Sequence, residues 1–177
     1  MAETRGPWLM RTLYVAVCMV LLFVQLLPLD TVPKVWAAPE LIVAVTFAWV
    51  LRRPEYAPAF LIAFVFLMAD LLVQRPPGLW AAIVLLGSET LRNRAPGLRD
   101  LTFPVEWLTV ATTLVVMTLG YRMILILTVV DQAPLGLSLI QLVMTLLFYP
   151  IVVLVTQTIF GVRKLAPGDM DAMGNRL

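Results

Sequence analysis

The chain has no histidine and a single cysteine, Cys18, in 177 residues. Without histidine it lacks the commonest general base and the commonest metal ligand. One cysteine cannot close an internal disulfide, and Cys18 lies in an apolar run where it packs as a small hydrophobe. A Ser-His-Asp triad, a cysteine redox pair and a zinc site are excluded by residue count. Charge is also scarce: 14% of the residues are charged, where a soluble domain carries about 25%.

What is present is apolar. Hydrophobic residues make up 61% of the chain, and its mean hydropathy is +0.93. A soluble sphere of this size could not hide so much apolar surface, so lipid must be the solvent for most of it. One compact unit of several spans fits the length better than two domains. The pI near 9.0 could suggest nucleic acid. The arginines form no continuous patch, however, and fall between apolar runs as the loop charges of membrane proteins do. No nucleic-acid partner is expected.

Six apolar runs follow one another: Thr12 to Leu29, Ala38 to Leu51, Tyr56 to Val73, Leu79 to Leu91, Val105 to Val130, and Leu135 to Val162. A spanning helix needs roughly 20 residues. The first, third, fifth and sixth meet that or nearly so, while the second and fourth are short. The short runs can extend into their flanks, thin the bilayer, or sit as inner helices shielded by longer ones. Read as re-entrant hairpins, they would leave four spans. The positive charges favour six. With six spans, one side receives Arg5, Arg11, Arg52, Arg53, Arg92, Arg94, Arg99, Arg163, Lys164 and Arg176, and the other only Lys34 and Arg75. Lysine and arginine mark the cytoplasmic side, so both termini are expected there. The first run is too long for an ordinary signal peptide, and Pro39 would follow a cut after Ala37-Ala38, so it reads as an uncleaved helix. The expected architecture is an all-α membrane protein with one six-helix transmembrane domain over residues 1–162. A polar cytoplasmic tail is expected over 163–177.

Prolines punctuate the loops at Pro28, Pro33, Pro54, Pro58, Pro76, Pro77, Pro96, Pro104 and Pro134, and mark helix boundaries. Pro150 interrupts the last run and is expected to kink it.

The residue that stands out is Asp70, an acid inside the third run, where something in the fold must hold it. On an outward-going helix Asp70 lies about 21 Å along its run, and Arg122 about 26 Å along the fifth. Charges at matched depth are natural partners, so the two are expected to meet or share a polar cluster. Glu89 and Arg92 are spaced to pair on one helix face. Glu106 complements a helix dipole beside an interfacial Trp107. The basic turns at Arg52-Arg53 and Arg92-Asn93-Arg94 read as orientation signals and anionic-lipid contacts; docking of cytoplasmic filaments is a weaker alternative for them. Gln25, Gln141 and Gln157 suit helix-helix hydrogen bonds, and Gly87 and Gly120 close packing. Thr109, Thr112, Thr113 and Thr118 can satisfy their hydroxyls on their own helix. No constellation of acids or nucleophiles points to an enzyme, and no cofactor or metal site is expected.

Trp49-Val50-Leu51-Arg52-Arg53-Pro54-Glu55, then Ala69-Asp70-Leu71-Leu72, then Pro77-Gly78-Leu79-Trp80-Ala81-Ala82 resemble the signature region of MreD, the rod shape-determining membrane protein family of bacteria. The resemblance implies a non-enzymatic inner-membrane subunit of the elongation machinery that binds MreC. Through that pair it would help connect MreB filaments to the RodA glycosyltransferase and its class B penicillin-binding transpeptidase. It also implies a fold similar to the substrate-binding subunits of energy-coupling-factor vitamin transporters. A rival function follows directly: the substrate-binding subunit of a vitamin or metal importer, with a polar pocket opening outward. Under the first reading Asp70, Arg122, Trp49, Arg52, Arg53, Pro54, Pro77 and Gly78 serve fold integrity or partner docking.

Overall fold

In the computed structural model the described residues are 6–27, 37–98, 101–130 and 132–162. The tail expected over 163–177 lies outside them, as does Lys34. The described residues form six helices: α1 (Pro7–Leu26), α2 (Leu41–Arg52), α3 (Ala59–Leu72), α4 (Leu79–Leu98), α5 (Phe103–Leu127) and α6 (Leu135–Thr158). There is no strand among them. α1, α5 and α6 are long and apolar enough to cross a membrane, and only 22% of the most apolar window of each is buried. Their exposed faces carry side chains such as Phe23, Val116, Leu119, Leu147 and Leu154. Apolar faces of this extent suit a lipid solvent.

α2 is built differently. Every residue from Ile42 to Arg52 is buried. It packs on α1, α4 and α6, and the contacts α1–α3, α3–α4, α4–α5 and α5–α6 trace an arc around it. A helix apolar on all faces belongs inside a bundle, and of the three options for the short second run the structure shows the shielded inner helix. Around it gather Trp49, Tyr14, Tyr56 and Phe160, with ring centroids 5.6, 6.3 and 6.0 Å from the indole.

The lengths of the third and fourth helices reverse the sequence expectation. α3 has 14 residues and starts only at Ala59, because Pro58 is its N-cap in an extended conformation. α4 has 20 residues and continues through Pro96, which was expected to mark a boundary. Pro150 likewise lies inside a continuous α6. A proline cannot donate to the carbonyl four residues earlier, which here is Leu146. Trp107 Nε1 of α5 donates to that Leu146 oxygen at 3.0 Å. The indole expected at the membrane interface thus supplies the hydrogen bond that the proline removes. Gly87 permits the close α4–α5 approach, since a Cβ there would run into the Met117 thioether. Gly120 has open space around it and contributes no such contact. The four threonines bond their own helix as expected, each to the carbonyl four residues earlier.

Candidate functional site

Polar chemistry gathers at the two ends of the bundle. At one end α2, α4 and α6 begin and α3 and α5 finish; at the other the directions are reversed. We call them the Glu40 end and the Arg52 end.

At the Glu40 end, Asp70 occupies the last turn of α3 and is fully buried. The chain then reverses through Gln74, at φ 58°, and Gly78, at φ 83°. Glycine adopts that left-handed conformation without strain. The reversal brings the start of α4 back against α3, and Asp70 Oδ2 accepts from Gly78 N at 3.0 Å and Ala81 N at 3.1 Å. The first amides of a helix have no partner of their own, and a carboxylate is well suited to them. Asp70 therefore caps α4 from the preceding helix.

The expected Asp70–Arg122 pair does not form. Arg122 Nη1 instead donates to Ser138 Oγ at 2.8 Å and to Ala133 O at 3.2 Å. Depth alone matched the two groups, but the short turn offered Asp70 nearer donors in the backbone. The ion pair at this end is Arg75–Glu40, 2.5 Å apart, with side-chain exposures of 29% and 11%. Gln141 of α6 also donates to Glu40 Oε1 at 3.2 Å, which realises its expected helix-helix role. Gln25 is exposed and, like Gln157, makes no such bond among the described residues. Burial opposes the Arg75 charge, but Glu40 outweighs it and raises the guanidinium pKa above its ordinary value.

Between these groups is a cavity of about 340 Å³, lined by Glu40, Arg75, Trp80, Tyr121, Arg122 and Gln132 among others. Trp80 and Tyr121 meet edge to face with centroids 5.1 Å apart. Leu114, Leu125 and Leu142 supply an apolar wall. The cavity joins one ion pair, a second guanidinium and amide groups to aromatic surface. That is the composition of a small-molecule pocket: mostly apolar, with a few fixed polar groups. Among the described residues no group of three or more histidine, cysteine or acidic side chains is placed to hold a metal.

At the Arg52 end the arrangement is closed. Arg52 Nη1 lies 2.7 Å from Glu106 Oε1, and both side chains are 1% exposed. Tyr149 of α6 donates to the same oxygen at 3.1 Å, and Phe103 stacks on the Tyr149 ring. Arg52 was expected to contact anionic lipid; the structure buries it, because it ends the one helix that is enclosed on every side. Glu106 joins three helices here, beyond complementing its own helix dipole. Arg53 remains partly exposed, paired with Glu55 at 3.4 Å beyond Pro54. Arg92 pairs with Glu89 at 2.9 Å as expected. It also turns inward and donates to Ala57 O at 2.7 Å, while Arg11 Nε donates to Glu55 O at 2.9 Å. Two arginines thus hold the turn between α2 and α3.

The candidate residues therefore separate into three places. Asp70, Pro77 and Gly78 form one turn, Trp49, Arg52, Arg53 and Pro54 belong to the opposite end, and Arg122 faces the cavity. Sequence reasoning missed Glu40, Gln132, Tyr121 and Tyr149. An available signal was Glu40 directly before an uninterrupted apolar run. No family model, curated protein or solved structure matches the chain.

Proposed function

We propose that the chain is a six-span inner-membrane scaffold of the bacterial rod-shape elongation complex, related to the MreD family. The observation that carries this reading is the Asp70 cap. The Asp-Leu-Leu that ends α3 and the Pro-Gly-Leu turn that opens α4 are two of the segments on which the resemblance rests. Here they are direct hydrogen-bond partners. The third segment supplies Trp49 to the aromatic centre and Arg52 to the buried ion pair. The residues that carry the likeness are thus those that hold the helices together, as a scaffold requires. The three shorter or more polar helices complete the six spans, with α2 shielded from lipid by its neighbours. Both termini face the cytoplasm, with the basic residues of the Arg52 end on that side. The fold belongs with the substrate-binding subunits of energy-coupling-factor transporters. The partners are MreC, then RodA with its class B transpeptidase, MreB filaments indirectly, and anionic lipids.

Depletion in a rod-shaped host tests the role. Cells should round, and MreC should co-purify with the tagged chain from membranes. The cavity favours a second reading, a small-molecule-binding subunit of an importer. Recovery of depleted cells on feeding a nutrient, with no MreC recovered, would replace the first reading with the second.

A further inference from the structure

The cavity at the Glu40 end holds two guanidinium groups, and they differ in state. Arg75 is neutralised by Glu40. Arg122 uses only Nη1, on Ser138 and Ala133. Among the described residues its Nε and Nη2 have no acceptor and no carboxylate pairs with it. These two groups form one edge of the guanidinium fork, the edge that receives carboxylate or phosphate oxygens side by side. Beside it, Gln132 donates through Nε2 to Arg122 O at 3.4 Å. Gln132 Oε1 is left buried with no hydrogen-bond partner, an acceptor for a ligand hydroxyl or protonated oxygen.

The rest of the lining constrains the ligand further. Trp80 and Tyr121 form an aromatic wall, continued by Leu125 and Leu142. A bare inorganic anion would leave that wall uncovered, and a neutral apolar molecule would leave the Arg122 fork unmatched. A volume of about 340 Å³ lies within the range of small-molecule sites, roughly 300–1,000 Å³. The geometry points to a binding site for an amphiphile with an oxyanion head, carboxylate or phosphate, seated on Arg122 with its apolar body along Trp80 and Tyr121. The site is independent of the scaffold reading and holds equally for an importer subunit.

Calorimetric titration of the full chain in phosphatidylcholine nanodiscs with hexyl phosphate tests this. Hexyl phosphate should bind, while inorganic phosphate and hexyltrimethylammonium should each bind at least about tenfold more weakly. Arg122→Gln should weaken hexyl phosphate about tenfold or more, and Arg122→Lys by less, because it keeps the charge and loses the fork. Gln132→Leu lies outside the helices and should weaken binding about threefold, which keeps the test decisive if Arg122→Gln does not yield folded protein. The ligand's source is read by repeating the titration in discs containing phosphatidylglycerol. Weaker apparent binding there, in the wild type and not in Arg122→Gln, assigns the site to a lipid headgroup. Unchanged binding assigns it to a soluble anion. The proposal is overturned if wild type does not bind hexyl phosphate, if the cationic probe binds as well, or if the Arg122 and Gln132 variants bind like wild type.

Discussion

The Arg52–Glu106 and Arg75–Glu40 pairs have the same chemistry and lie at opposite ends of one bundle. The first is sealed at 1% exposure on both side chains; the second is exposed at 29% and 11% and borders a cavity. The difference comes from what covers them. Arg52 ends the enclosed helix α2, and its partner Glu106 accepts from Tyr149, on whose ring Phe103 stacks. Arg75 belongs to the reversal between α3 and α4, outside any helix, and Glu40 is the N-cap of α2. Desolvated charges are costly to separate, whereas wetted ones are readily exchanged for water or ligand. One end of the bundle is therefore built as a fastening and the other as a site.

The largest test of that contrast is Glu106→Leu. It leaves the Arg52 charge buried without its carboxylate and should destabilise the protein by about 3–5 kcal/mol. Thermal unfolding in detergent, followed by loss of the monodisperse peak, reads the effect. The double change Arg52→Met with Glu106→Leu should recover most of it, since a packed apolar pair can replace a buried ion pair. If the double variant is no better than the single, the pair is more than a charge match. Next comes Asp70→Ala, which strips the cap from α4 and should cost about 1–3 kcal/mol. Asp70→Asn, which keeps one acceptor oxygen, should fall between Asp70→Ala and wild type in the same assay. Arg75→Met should cost about 1–2 kcal/mol, less than Glu106→Leu, because Gln141 and the open cavity remain for the largely buried Glu40. Raising salt from about 0.1 to 1 M should shrink that Arg75→Met difference and leave the Glu106→Leu difference nearly intact. Arg122→Gln should change stability least, within about 0.5 kcal/mol. A large loss in that variant would make Arg122 a second fastening and erase the contrast.

Much of the helix pattern was legible in the sequence, because apolar runs between polar turns report both helices and breaks. The Glu89–Arg92 pair, the self-bonded threonines and the Gly87 contact were legible too, since each follows from spacing on one helix or from one small residue. The long-range partners were not. Asp70 and Arg122 matched in depth, and nothing in the sequence says that a turn at φ 83° will present backbone amides to the acid first. Glu106 was fully accounted for by its own helix, so its bond to Arg52 left no sequence trace. Pro96 read as a boundary and Pro150 as a kink because proline alone does not reveal what surrounds it; at Pro150 the missing information is that Trp107 fills the vacated Leu146 carbonyl. The cavity was invisible for the same reason, being assembled from segments of α4, α5, α6 and the three connections that precede α2, α4 and α6.

The Asp70 cap also bears on how the chain is made. One oxygen of the acid, Oδ2, accepts from Gly78 and Ala81, which follow it within 11 positions, while Oδ1 is buried with no hydrogen-bond partner among the described residues. The bonds to Oδ2 are in place once the α3–α4 hairpin exists, before α5 or α6 has left the ribosome. The hairpin can therefore form as one unit with that oxygen already held by peptide amides, and the later helices assemble on a preformed pair.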